Sequence, residues 1–216
     1  MARPVMIVVA GAPGSGKSSR FPVSSFGIDS FNADARAAEL FGSFHGIPAA
    51  IRKRINSEFE NWIAEHIEAR QSFALETTLR SPVTFRQAHQ ALQRGFTTKM
   101  EYVNAGGVEE SLRRIVQRAY RGGHSASERL VRDIYQKSTA NLLASLNFQE
   151  SAMQMVRIYD NSEVGGHVRH IMTFRGGEPH RLSTVVPEWL EQLLHGTAFD
   201  VTLMQARLEK RRGASE

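Results

Sequence analysis

The chain contains no cysteine. That excludes disulfide staples, zinc–thiolate sites and cysteine nucleophiles, and it fits a reducing, cytoplasmic setting. No apolar run approaches the roughly 18 residues that a membrane-crossing helix requires, so no membrane partner is expected. The opening MARPVMIVVAGAPG has the outline of a signal peptide, but its short apolar run breaks into glycines rather than a small-residue cleavage site. It reads as a buried first strand. Aromatic residues make up only 8% of the chain. Tyr120 aside, none is interleaved with the basic residues, which argues against a nucleic-acid stacking platform. The eight histidines show no metal-ligand spacing; His167 and His170 are three apart on an expected strand, and only His124, after a Gly-Gly pair, invites a functional reading. No internal repeat or low-complexity linker is present.

What is there suffices for a core: 216 residues, 41% of them hydrophobic. One domain over residues 1–200, followed by a frayed basic tail at 201–216, is the natural organisation. The formal charge of +5 points toward phosphorylated or nucleic-acid partners. Short branched runs at 4–10, 26–34, 72–78, 97–105 and 155–162 read as strands, two of them ending in the acids Asp34 and Glu76. Between 47 and 70, Ile51, Ile55, Phe59, Ile63 and Ile67 recur every four residues, an amphipathic helix. Pro82 opens a helix that Gly95 closes, another runs over 109–121, and Ser125 or Ser127 caps a further one to Asn147. Residues 167–184 read as a hairpin turning at Gly176-Gly177, and Pro187 starts a helix to His195. Trp62 and Trp189 fall on amphipathic helices, as packing residues. Strands alternating with helices predict an α/β sandwich of three layers, mainly parallel, with helices on both faces. Ligands in such sheets bind beyond the carboxyl ends of the strands.

There the most specific motif lies. Gly11-Ala12-Pro13-Gly14-Ser15-Gly16-Lys17-Ser18 satisfies G-x-x-x-x-G-K-[ST] at every fixed position, and Ser19 follows it. Glycines let the chain wrap with its N–H groups inward, the next helix offers unpaired N–H groups, Lys17 would lie across the β- and γ-phosphates, and Ser18 would reach Mg²⁺. The alternative is a chance glycine-rich turn. Neither the guanine-reading N-K-x-D nor the transporter L-S-G-G-Q occurs, so an ATP- and Mg²⁺-dependent kinase for a small molecule is expected within the P-loop NTPase class.

Asp34 can orient an acceptor hydroxyl and take its proton, or simply cap the helix that begins at ARAAEL. Glu76, ahead of Thr77, Thr78 and Arg80, can support Mg²⁺ or its water, grip a substrate hydroxyl, or close a turn. Arg114, Arg118 and Arg121 share one helix face before Gly122-Gly123, either as an arginine-bearing lid over phosphates or as a solvated basic face, and Arg129 and Arg132 lie just beyond.

Taken together, GAPGSGKSS, FNAD, SFALETTL, the R-x-x-x-R-x-x-x-G-G-H run from Arg114, YQKSTANL and IYDNS resemble the zeta toxin family of P-loop kinases in its short bacterial form, over about residues 5–162. The resemblance implies ATP-dependent phosphorylation of a sugar-nucleotide hydroxyl, in characterised members the 3′-hydroxyl of the N-acetylglucosamine of UDP-N-acetylglucosamine, and a small helical antitoxin as partner. By position it makes Asp34 the catalytic base, Lys17 and Ser18 the phosphate and Mg²⁺ residues, Glu76, Thr78 and Arg80 an acceptor-binding run, and Arg118 a phosphate clamp. Short relatives commonly carry further arginines where this chain has Asp133 and Ile134 after Arg132. Arg121, Arg129 or Arg132 is then expected to supply the second clamp. Other acceptors, such as an antibiotic or a dinucleotide, are the nearer alternative; a nucleotide-gated RNA- or protein-binding switch is the more distant one.

Overall fold

The computed structural model describes residues 3–42, 46–120, 126–163 and 166–213. Seven strands form one sheet: β1 (Val5–Ala10), β2 (Asp29–Phe31), β3 (Phe73–Thr77), β4 (Thr97–Asn104), β5 (Met155–Asp160), β6 (Arg169–Arg175) and β7 (Glu178–Leu182). Their order is β2-β3-β1-β4-β5-β6-β7. The first five run parallel, and β6 and β7 are added antiparallel. The order reverses at β1, so its carboxyl end opens between β3 and β4, where an α/β sheet offers its ligand crevice.

The helices are α1 (Lys17–Arg20), α2 (Ala33–Phe41), α3 (Ala49–Glu68), α4 (Val83–Gln93), α5 (Val108–Tyr120), α6 (Glu128–Leu146), α7 (Phe148–Ser151), α8 (Glu188–Leu194) and α9 (Val201–Gly213). Strand alternation sorts the faces. Met6, Val8, Phe73, Leu75, Met100, Tyr102, Val156 and Ile158 point into the main core, with Ile63 and Ile67 of α3, Phe85 of α4, Leu142 of α6 and Leu190 of α8. On the other face Val9 and Ala74 meet Val23, Phe21, Phe26 and Ile28. Ser127 caps α6 by accepting from the Leu130 N–H at 3.4 Å. The Gly176-Gly177 turn forms as expected, both glycines at positive φ (58° and 83°), the signature of a tight hairpin. Trp62 packs edge-on to Phe73 in the core. Among the described residues no helix is long and apolar enough to cross a membrane.

Two expectations are corrected. The second strand is only Asp29–Phe31, because Gly27 turns the chain out of the 3₁₀ helix Val23–Phe26 before it and α2, capped by Asn32, begins at Ala33 after it. The helix after the phosphate loop lasts one turn. Pro22 has no N–H to continue it and drives the preceding residue out of helical geometry, and Phe21 indeed sits at φ −134°, ψ 62°. The segment after residue 200 is no frayed tail through 213. Met204 is 1% exposed within the main core, and Arg211 donates to the Pro179 carbonyl and pairs with Glu178, both at 2.9 Å. The apolar positions Val201 and Met204 fall on one helical face, which the basic composition of the segment conceals.

Candidate active site

At the carboxyl end of β1 the chain enters a glycine cradle. Gly11 sits at φ 145° and Gly16 at φ 95°, conformations that side chains disfavour. A Cβ on Gly11 would lie 2.2 Å from the Val103 carbonyl oxygen, and one on Gly16 2.3 Å from Nδ2 of Asn161. Ala12 and Ser15 are buried, Pro13 and Gly14 half-buried, and Ser19 closes the turn by donating to the Gly16 carbonyl at 3.0 Å. Lys17 is buried, and its ammonium donates to the carbonyls of Gly11 (2.8 Å) and Ala12 (3.1 Å). Burial pushes its pKa below the ordinary lysine range. Glu76 and then Asp34 pull against that shift, while Arg118 adds to it.

These charges belong to residues separated widely in sequence. The β1–β3 register sets Glu76 opposite Val9, so the acid ending β3 stands beside the loop. Ser18 donates its hydroxyl to the Glu76 carboxylate, with oxygens at 2.9 and 3.1 Å. Asp34 lies exposed in the first turn of α2, beyond the strand end on which it was expected. It does not cap that helix. Asn32 does, accepting from the Ala35 N–H at 3.0 Å. The capping explanation for Asp34 therefore falls away.

The acceptor-binding run continues from β3 into a strained turn held by α6. The Leu79 N–H bonds Thr77 Oγ1 at 3.1 Å, and Leu79 takes φ 54° while fully buried. Such a conformation in a branched residue persists where neighbours over-determine it. Here Asn141 of α6 donates to the Leu79 carbonyl at 2.8 Å. On either side Thr78 is half-buried and Arg80 exposed. Arg80 pairs with Asp133 at 2.9 Å, a carboxylate that Lys137 foremost, through a hydrogen bond, holds below its usual range. Asn141 and Asp133 were not singled out from the sequence, although Asn141 lies within the YQKSTANL motif.

The arginines divide. Arg118 lies exposed on α5 and is felt at Lys17. Arg114 is instead spent on structure, donating to Glu110 at 2.6 Å and to the Asn161 carbonyl at 2.7 Å. Arg132 is held by Glu109 and Glu128, and Arg129 is exposed. Arg121, Gly122, Gly123, His124 and Ser125, with the expected lid hinge, lie outside the described residues. Trp189 adds a polar contact to its packing: its Nε1 donates to Asp160 at 3.0 Å. Among the described residues no group of His, Asp or Glu could by itself hold a metal ion.

Sheet order, glycine cradle and buried lysine define a P-loop kinase fold. The zeta toxin family model matches residues 50–166, just over half of the chain, and the chain belongs to the zeta toxin family of P-loop kinases. The match starts beyond the phosphate loop and Asp34, whose placement comes from the geometry above. No curated protein matches the sequence significantly. Among solved structures, the chain is similar to one from the PezAT chromosomal toxin–antitoxin system of Streptococcus pneumoniae, at 17% identity and TM-score 0.59, covering 99% of this chain and 87% of that one. It is also similar to the AvrRxo1-ORF1:AvrRxo1-ORF2 structure with sulphate ions, at 17% identity and TM-score 0.65, covering 99% and 74%. The AvrRxo1-ORF1:-ORF2 structure with ATP matches at 16% identity and TM-score 0.63, covering 97% and 76%. At these identities the likeness is one of fold.

Proposed function

We propose that the chain is an ATP-dependent phosphotransferase that moves the γ-phosphoryl group to a hydroxyl of a sugar nucleotide, with the 3′-hydroxyl of the N-acetylglucosamine of UDP-N-acetylglucosamine as first candidate. The observation that carries this reading is the glycine cradle at the end of β1, with Lys17 buried in it and the Ser18 hydroxyl bonded to the Glu76 carboxylate at 2.9 Å. The charges of Asp34 and Arg118 also reach Lys17, and a carboxylate base and cations about the phosphates are what phosphoryl transfer requires. ATP as donor is further supported by the similarity to a structure described with ATP.

The donor set suits Mg²⁺, since the Ser18 hydroxyl and the Glu76 carboxylate are hard oxygen ligands already hydrogen-bonded to each other. When bound there, the ion would supply charge neutralisation between the β- and γ-phosphates. The chain's own residues do the rest. The glycine cradle holds the phosphates through backbone N–H groups. Asp34 accepts the proton of the acceptor hydroxyl as its oxygen bonds to the γ-phosphorus. The bond from that phosphorus to the bridging oxygen breaks, and ADP leaves. Lys17 and Arg118 offset the charge spread over the phosphoryl oxygens.

Asn141 of α6 shapes the acceptor side of this scheme. Without the Asn141 amide the buried Leu79 carbonyl loses its donor, at a cost of about 1–3 kcal/mol, and the turn bearing Thr78 and Arg80 relaxes. Asn141→Ala is expected to lower kcat/KM for the acceptor roughly tenfold or more while KM for ATP holds. Steady-state kinetics with each substrate varied in turn reads the difference.

A role as a toxin with a small helical antitoxin is supported by family membership and by likeness to a structure from a toxin–antitoxin system. The deciding experiment incubates the protein with ATP, Mg²⁺ and a panel of UDP-N-acetylglucosamine, other nucleotide sugars, aminoglycosides and dinucleotides, and weighs the products. A phosphoryl mass gained by UDP-N-acetylglucosamine supports the full reading. Gain on another candidate alone moves the acceptor. ATP turnover that ignores every acceptor and rises with RNA replaces the kinase with a nucleotide-gated switch.

A further inference from the structure

The strand-end sequence Asp160-Asn161-Ser162 carries a buried side chain that the scheme above does not use. Asn161 is 5% exposed. Its Nδ2 donates to the carbonyl of Ser15, 146 positions earlier, at 2.9 Å. The same nitrogen occupies the space a Cβ on Gly16 would need. The main chain of Asn161 is tied on both sides: its N–H donates to the Asn104 carbonyl at 2.7 Å, and its carbonyl accepts from Arg114 of α5 at 2.7 Å. The preceding Asp160 is 1% exposed and satisfied by Ser162 (2.8 Å), Arg169 (2.6 Å) and Trp189 (3.0 Å), so the platform beneath Asn161 is anchored by the hairpin and by α8.

From this arrangement we infer that Asn161 is the positioning residue of the phosphate cradle. The peptide joining Ser15 to Gly16 has two polar ends. When the Asn161 amide holds its carbonyl outward, the N–H of Gly16, at the opposite edge of that planar trans peptide, is turned the opposite way, toward the concave side on which a cradle receives an anion. The hydrogen bond therefore fixes which end of the peptide the nucleotide meets. Arg114 extends the tie to α5, the helix bearing Arg118, so that the cradle and the clamping arginine share one anchor. The assignment deepens the kinase reading and rests on nucleotide binding within it, not on the acceptor.

The experiment is calorimetric titration of ATP with Mg²⁺ into wild-type protein, Asn161→Ala, Asn161→Asp and Ser162→Ala, with a thermal melt of each. Asn161→Asp keeps the shape and removes the donor, so it remains informative if the alanine variant folds poorly. Ser162→Ala removes a neighbouring hydrogen bond that ends on Asp160 and never reaches the loop. The expected result is ATP binding about tenfold weaker for Asn161→Ala and weaker still for Asn161→Asp, with Ser162→Ala binding like wild type whatever its melting temperature. Wild-type affinity in both Asn161 variants overturns the inference and leaves the kinase reading standing. So does equal weakening by Ser162→Ala, which would mean general loosening of the strand end. Failure of the wild-type protein itself to bind ATP overturns the kinase reading and this inference with it.

Discussion

Asp34→Asn is expected to slow phosphoryl transfer roughly 10²- to 10⁴-fold, the range over which general bases contribute, while ATP binds as tightly as before. The substitution is nearly isosteric and removes the proton acceptor together with its charge. Its structural side effects are bounded. Asn32 caps α2, so the helix start survives. The loss of an acid from the first helical turn costs at most about 1 kcal/mol at an exposed position. Asp34 is exposed and outside the buried clusters, so no packing is disturbed. The measurement pairs single-turnover kinetics at saturating acceptor with calorimetric ATP binding. Undiminished turnover with intact binding removes Asp34 as the base. A parallel loss of ATP affinity instead assigns the carboxylate to the electrostatic support of Lys17, which its field also reaches.

The phosphate loop was legible because every constraint on it is local: strand, glycines, lysine and serine follow one another within one stretch. Glu76 was legible for a related reason, since an acid ending an apolar strand is carried to the ligand-binding edge of a parallel sheet. Asp34 was expected at a strand end and lies instead in the first turn of α2, because Asn32 caps a helix from Ala33 where the strand was read on to residue 34. Arg114 illustrates the opposite failure. Helical spacing placed it with Arg118, but Glu110 one turn earlier and the Asn161 carbonyl claim it. Spacing along a helix says which side chains share a face, not which partner wins them. Asn141 and Asn161 lie inside the motifs YQKSTANL and IYDNS, but nothing local marks what either side chain does. Each acts through one amide bonded to a main-chain carbonyl, 62 and 146 positions away, and only the folded sheet brings those ends together.

The largest effect on ATP binding is expected at Gly11. Gly11→Ala combines two penalties that can be told apart. The first is conformational: φ 145° is a region that L-residues avoid. The second is a collision, since the new Cβ would lie 2.2 Å from the Val103 carbonyl oxygen and 3.2 Å from the carbonyl carbon. Both are main-chain atoms of β4, a strand paired on both sides to β1 and β5, so the obstacle cannot swing aside as a flexible side chain would. The cradle must move instead, and the carbonyl of Gly11 that holds Lys17 moves with it. ATP affinity is expected to fall by roughly 100-fold or more, equivalent to losing about two or three well-made hydrogen bonds. Gly27→Ala supplies the control. That glycine also sits at positive φ (67°) but has nothing within 4 Å of its would-be Cβ. It carries strain without collision, at about 1 kcal/mol of stability and no change in ATP binding. If Gly11→Ala binds ATP as well as Gly27→Ala does, close main-chain approach is not what the first glycine of the motif provides, and the cradle geometry drawn from β1 to Lys17 is wrong.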